Sequence, residues 1–318
     1  MQIELIEEVS SKRRLRGIFW KQGEFFFGDQ KRVATVTDVK FLEKDRLVVA
    51  HRAAAKIYLV DISQETPRVV DSLRLRYRGR FRRRYFHPDL IALDGASLYI
   101  SAYKNRYAKV RIHEDRLELE SVRAVGGDKY HGCAVKDGVL LLGGVSTSQI
   151  TRVSKVDASV SSLEVEMKEP VRIKMISAED EFYFLSLDRQ VGTTKRPGCS
   201  GDAWFSQYRL VGERLVEVDS VFFEGCQIDG AVSSHGMHFV SLQDSVEGCG
   251  YVVTLKVGDR LEVVKKTRCD DFPHGLDVHD QTLAYSSYST SSVHIRPLSE
   301  FLPGNLARLV AEPITSRR

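Results

Sequence analysis

Five acidic or imidazole side chains recur at one place in a repeated pattern of this 318-residue chain. Asp38, Asp89, His131, Asp229 and His274 each stand at the head of an apolar stretch of similar make-up, and Ile173 takes the same place in the remaining one. If the fold gathers these positions around one axis, the chemistry they offer is cation binding. Converging carboxylates and imidazoles repel, or raise one another's pKa, unless a cation or protons neutralise them. A mixed oxygen and nitrogen set suits Zn, Mn, Fe or Ca, and the sequence leaves the choice of divalent cation open. Such an ion could activate water or polarise a carbonyl. A purely structural role competes with this: an Asp at a strand head can accept backbone N–H groups, and polar residues at a channel end can hold only water and turns.

A second concentration of chemistry is RLRYRGRFRRR at 74–84. Arg74, Arg76, Arg78, Arg80, Arg82, Arg83 and Arg84 are interleaved with Leu75, Tyr77, Gly79 and Phe81. In an extended strand this alternation turns one face to arginine and the other to apolar groups. Guanidinium forks bind carboxylate, phosphate or sulfate in bidentate fashion. Interleaved aromatics could also stack on bases. The segment reads equally as an edge extension that keeps a sheet soluble and pairs with acidic strands elsewhere. Glu118, Glu120, Glu164 and Glu166 belong to such strands and help hold the formal net charge at +4. The partner expected is an anionic small molecule or a protein; nucleic acid is not favoured.

The chain has no GxSxG, GxxxxGK[ST], HExxH or CxxC, so no nucleophile elbow, phosphate loop or zincin helix is expected. Residues 188–204 (DRQVGTTKRPGCSGDAW) interrupt a repeat with a Gly-, Thr- and Arg-rich insert that reads as a lid or binding loop. The five cysteines are odd in number. They are read as small buried hydrophobes in a reducing, cytoplasmic setting rather than as a disulfide framework. The opening MQIELIEEVSSKRRLRG has early acids and no apolar core, unlike a secretory signal. No apolar run approaches 18 residues, so no membrane span or membrane partner is expected.

The elements that must position these residues come from internal repetition. Segments 37–52, 88–103, 130–145, 172–187, 228–243 and 273–288 each show an apolar strand, a tight polar turn and a second apolar strand ending in small or polar residues. Asp94-Gly95, Asp137-Gly138 and His235-Gly236 sit at the turns, where glycine supplies positive φ. Third strands with period-two alternation follow at 56–60, 108–112, 149–153, 205–210, 251–255 and 292–296. More charged fourth strands follow at 68–73, 116–122, 163–167, 214–221 and 260–264, with charge on one face as an outer edge requires. Four strands recurring every 42–56 residues, grading from apolar to polar, is the pattern of propeller blades. Residues 2–9 and 307–311 both look like a closing fourth strand. Residues 17–28 (GIFWKQGEFFFG) form an extra apolar hairpin without a place in the repeat.

The inner-strand stretches HGCAVKDGVLLL and PHGLDVHDQTLAYS resemble the six-bladed propellers of the NHL-repeat, SMP-30/gluconolactonase-like and YVTN group, over most of 37–297. The resemblance is one of fold and implies no reaction by itself. SMP-30-like lactonases hold a divalent metal at the corresponding channel position with Glu, Asn and Asp, where this chain offers His and Asp. Propeller lyases with a ring of histidines would match His131 and His274 better.

The expected fold is therefore all-β: a six-bladed β-propeller of four-stranded antiparallel blades, with seven blades as the alternative. It is read as one domain over 1–318, with a closing strand and extra hairpin in 1–36, the repeats in 37–297 and a tail in 298–318. The expected function is a ligand- or partner-binding propeller with a polar Asp/His channel mouth and an arginine strand for anionic groups. The alternative is a metal-dependent hydrolase or lyase of the SMP-30-like type acting at that mouth.

Overall fold

The computed structural model describes residues 1–4, 36–79, 82–102, 104–126, 129–147, 149–167, 172–189, 201–244, 247–258, 260–269, 272–288, 290–304 and 306–307. These residues form six four-stranded antiparallel units. Unit one is Val36–Glu43, Arg46–His51, Lys56–Asp61 and Arg68–Arg74; unit two is Ile91–Asp94, Ser97–Ser101, Arg106–Ile112 and Leu117–Ala124. Unit three is Tyr130–Lys136, Val139–Gly144, Gln149–Ser154 and Val160–Val165; unit four is Arg172–Glu179, Phe182–Arg189, Asp202–Val211 and Arg214–Phe223. Unit five is Cys226–Ser234, Met237–Asp244, Cys249–Val257 and Leu261–Cys269. Unit six is Pro273–His279, Thr282–Ser287 and Ser292–Pro297, completed by Gln2–Glu4 from the other end of the chain.

Local sequence explains each unit. The first two strands are joined by turns such as Asp137-Gly138, where both residues take positive φ (49° and 74°). That conformation matches the twist of the strands it joins, and Gly adopts it without steric cost. Second strands such as Leu140–Leu142 and Phe239–Leu242 are buried on both faces and are accordingly apolar but for Ser241. Fourth strands alternate, as in Leu117 buried and Glu118 exposed, because only one face meets a neighbour.

The units close into a ring through their side chains. Each of six apolar clusters draws its members from adjacent units: Ile57, Leu98 and Val110 join units one and two, and Phe205, Val240 and Leu255 join units four and five. The last interface packs Val36, Val39 and Tyr58 of unit one against Ala284 and Val293 of unit six, with Ile3 of the closing strand in the same cluster. Ile3 pairs with Val293, and the Met1 amine donates to the Ile295 carbonyl, so the chain ends of the repeat are tied across the ring. Of the two closing strands expected, the N-terminal one is observed as Gln2–Glu4; positions 5–9, the 17–28 hairpin and 308–311 lie outside the described residues. Units three and four also share a short parallel contact between their outer strands, Glu164 with Arg214 and Val165 with Leu215.

One expectation is corrected. Residues 74–84 do not run on as a single strand. Arg68–Arg74 ends unit one, and Arg76–Arg78 then pairs antiparallel with Arg83–Tyr85 as a separate hairpin. The reason lies in the apolar positions. Leu75 and Phe86 are buried and bonded to each other and to Ala55 through backbone groups, which pins both ends of the hairpin to the rim. Arg80 and Phe81 lie outside the described residues.

Candidate functional site

Inner strands begin with an irregularity that re-aims one side chain. Register shifts fall between Tyr130 and Cys133, Ile173 and Met175, Ile228 and Ala231, and Pro273 and Leu276. The residues inside these bulges are His131, Lys174, Asp229 and His274, and all four are buried near one another. Asp89 joins them from the segment just ahead of unit two. A row of serines on the second strands holds the bulges. Ser101 Oγ donates to the His131 carbonyl, and Ser241 Oγ to the His274 carbonyl, each from the preceding unit.

The cluster is a closed network. Lys174 Nζ lies 2.7 Å from Asp229 Oδ1, and Arg52 Nη1 lies 3.4 Å from Asp89 Oδ1. His131 Nε2 stands 3.6 Å from both Asp89 Oδ2 and Asp229 Oδ1, while His274 Nε2 is 3.8 Å from Asp229 Oδ2. Both imidazoles are oriented from behind: Nδ1 of His131 meets the Lys174 carbonyl at 2.6 Å, and Nδ1 of His274 meets the Thr37 carbonyl at 2.7 Å. The Tyr288 ring stacks on His274 at 5.3 Å. Asp229 also accepts from Gln227 Nε2 on both oxygens and from Gln243 Nε2.

Charge follows from this packing. Burial works to raise Asp229, but Lys174, ahead of His274 and His131, carries it well below the usual carboxylate range. Asp89 is likewise opposed by burial and lowered by Arg52 first. Burial pushes His131 down to about 3 against the pull of Asp89, and lowers His274 against that of Asp229. These shifts favour ionised carboxylates and neutral imidazoles.

Four of the five expected ring residues, Asp89, His131, Asp229 and His274, are therefore brought together. Asp38 is not. The bulge in unit one lies between Val36 and Asp38, so Thr37 takes the axial place and Asp38 is turned between units. Its Oδ2 accepts from Ile91 N at 2.7 Å and its Oδ1 from Val39 N at 2.9 Å, a latch between units one and two. Unit four contributes Lys174 rather than Ile173. The pairing of an apolar or proline residue with a polar one (Pro88-Asp89, Tyr130-His131, Ile228-Asp229, Pro273-His274) is the signal that would have selected Lys174 in Ile173-Lys174. Arg52 has no counterpart in the repeat and carries no such signal.

Buried Asp38 belongs to a second group with the partly buried Lys40 and Asp277. Lys40 Nζ lies 3.8 Å from Asp38 Oδ1 and donates to the Leu276 carbonyl at 2.9 Å, while Asp277 Oδ2 accepts from Phe41 N. Burial pushes Asp38 up to about 6, against the pull of Lys40; burial also raises Asp277. Cys133 also acts on Asp38 and Lys40, and His279 on Asp277. A carboxyl whose folded pKa is raised binds more proton folded than unfolded, so its contribution to stability falls as pH climbs from the usual carboxylate range to about 6. Asp38→Asn is expected to lose that dependence: the Tm difference between wild type and variant, followed by thermal melts across this window, should shift against wild type as pH rises. A constant difference would show that Asp38 does not titrate there.

The arginine hairpin occupies the connection from the outer strand of unit one to the head of unit two, at the same end of the ring as the axial cluster. Arg74, Arg76, Arg78, Arg82, Arg83 and Arg84 are exposed. Arg78 pairs directly with Arg83 across the hairpin, an arrangement that costs stability. The Arg76 guanidinium sits 5.1 Å over the Tyr85 ring and that of Arg106 4.8 Å over Tyr77. The residue 188–204 insert is based on this end as well. Its stem pairs Arg189 with Asp202 at 2.6 Å, and 190–200 lie outside the described residues. Cys133, Cys226, Cys249 and Cys269 are buried and form no disulfide among the described residues; Cys199 is outside the described residues.

The ring of outward-graded four-stranded units around a polar axis defines a β-propeller. No family model matches the chain. No curated protein matches it either. Among solved structures it is similar to U3-55K (10% identity, TM-score 0.55, covering 83% of this chain and 96% of that one). It is similar to the WD40 repeats of RRP9 (10%, 0.55, 83% and 94%). It is also similar to the β-propeller domain of Cps50 (Swd1) from Myceliophteria thermophila (10%, 0.52, 84% and 98%). Identity this low speaks for the fold alone. The likeness runs to WD40 propellers, and the NHL, SMP-30 and YVTN group that the inner strands resemble is not shown by it.

Proposed function

We propose that the protein is a partner-binding propeller whose recognition face is the end of the ring carrying the arginine hairpin, and that the partner presents an acidic protein segment. The observation that carries this reading is the hairpin with the strand end that leads into it: six exposed arginines, Arg74 and five in the hairpin, none in an ion pair among the described residues, kept together despite a direct Arg78–Arg83 opposition. A like-charge pairing that destabilises the free protein is relieved when an anionic partner supplies carboxylates. A protein partner is favoured over nucleic acid because Tyr77 and Tyr85 are already covered by Arg106 and Arg76, which takes the stacking faces that bases would need. The hydrolase or lyase alternative is less well supported, since Asp89, His131, Asp229 and His274 are 0–3% exposed and a substrate would have to reach them.

The test is fluorescence anisotropy with a labelled glutamate-rich peptide, using the full chain and a variant with Arg76, Arg78, Arg83 and Arg84 changed to Gln. Wild type should bind, with affinity falling as salt rises. The variant, equally folded by circular dichroism, should bind about tenfold or more weakly. Binding that ignores salt and the substitutions refutes the reading, and tighter capture of a single-stranded RNA oligomer replaces a protein partner with nucleic acid.

A further inference from the structure

We infer that Asp89, His131 and His274 form a binding site for one divalent transition-metal ion at the head of the channel. One ligand atom from each of these residues lies within 4.8 Å of the others, and all three side chains are buried. His131 Nε2 and Asp89 Oδ2 are 3.6 Å apart. Ligands held about 2.1 Å from one ion stand roughly 3.0–3.4 Å apart, so the Asp89–His131 pair needs only a small contraction, while the widest of the three separations, up to 4.8 Å, must close further to seat the ion. Two further observations point to a ligand. Asp89 Oδ2, fully buried, has no hydrogen-bond partner among the described residues, although a buried carboxylate oxygen normally finds one. Both histidines pass their Nδ1 side to a backbone carbonyl, which fixes the tautomer that presents an Nε2 lone pair to the common space. Backing a metal-binding imidazole in this way is the usual outer-shell arrangement.

The neighbouring groups sort into supporting roles. Lys174, Gln227 and Gln243 occupy the oxygens of Asp229, so Asp229 faces both imidazoles as a positioning carboxylate rather than a ligand. Arg52 takes Asp89 Oδ1 and leaves Oδ2 toward the rings. Two imidazoles and one carboxylate, with further positions open, suit Zn, Fe(II), Mn or Co rather than Ca, which prefers an all-oxygen shell. The site is independent of the arginine hairpin, so either proposal can fail without the other.

The experiment uses the full chain, stripped with chelator and titrated with Zn(II) by calorimetry and with Co(II) by visible absorption. One equivalent should bind, Co(II) should give d–d bands, and Zn(II) should raise Tm. His131→Gln, His274→Gln and Asp89→Asn should each weaken binding about 100-fold or more, whereas His235→Gln, in an exposed turn, should not. Asp89→Asn is nearly isosteric and keeps the test valid if a histidine variant fails to fold. Absence of one-to-one binding by either ion, or binding untouched by the three substitutions, overturns the proposal. So does an NMR titration showing that a proton on Nε2 fills the gap in the presence of metal.

Discussion

Asp229→Ala should destabilise the protein by about 3–5 kcal/mol, the range for breaking one partner out of a buried ion pair. Asp229 is 1% exposed and receives Lys174 at 2.7 Å together with both Gln227 and Gln243. Its removal strips a buried ammonium of its nearest carboxylate and leaves amide donors of two glutamines unmet. Lys174 is itself buried and reaches the axis from unit four, while Asp229 comes from unit five. The contact therefore couples neighbouring units. A loss of this size is a large share of the 5–15 kcal/mol that holds a typical domain together. Replacing both partners, Asp229→Leu with Lys174→Met, should cost less than the single change, because no charge is then buried alone. Urea denaturation of the singles and the double measures the coupling. A single Asp229→Ala within about 1 kcal/mol of wild type would show that the network is not holding the axis.

The second large effect is expected at the glycines that follow the axial residues. A Cβ on Gly275 would stand 2.6 Å from the Asp38 Cα, and one on Gly230 would meet the His274 carbonyl oxygen and lie 3.0 Å from the Gly275 Cα. In both cases the obstacle is backbone of the next unit and cannot rotate away. Neighbouring inner strands would have to part, and the Asp38 latch to Ile91 sits beside the displaced strand. Overpacking commonly costs about 1–3 kcal/mol, and more where backbone must move. Gly275→Ala should therefore reach or exceed the top of that range and lower Tm by many degrees. Gly138→Ala provides the comparison. It has positive φ but open space around it, so strain alone should cost about 1 kcal/mol. Thermal melts in which Gly275→Ala is no worse than Gly138→Ala would contradict the close approach of the strands.

Two kinds of glycine recur in the repeat, and only one was legible in the sequence. The turn glycines Gly95, Gly138 and Gly236 were legible because a two-residue hairpin needs positive φ, and all three have it. The glycines after His131, Asp229 and His274 look alike in one dimension but serve contact between units. Gly132, for instance, faces the Met175 backbone. Ser101, Ser186, Ser241 and Ser286 recur at the end of second strands and were noticed only as small or polar residues. The hydroxyls of Ser101, Ser186 and Ser241 donate to carbonyls of the next unit across the interface, a role with no signature within a single repeat, whereas Ser286 bonds Gly275 within its own unit.

The all-β repeat and its strand order were determined by the sequence alone, because period-two alternation, positive-φ turns and the polar grading of each fourth strand are local properties of a few adjacent residues. Local pattern likewise selected Asp89, His131, Asp229 and His274 as residues that would meet. Which side chains reach the axis was decided by tertiary structure. A one-residue bulge exchanges the faces of a strand, and its position in unit one turns Asp38 away while that in unit four brings Lys174 in. Arg52 joins Asp89 only because the second strand of unit one ends beside the head of unit two. The arginine run became a hairpin because Leu75 and Phe86, one at each end, are both buried in the interface between units one and two.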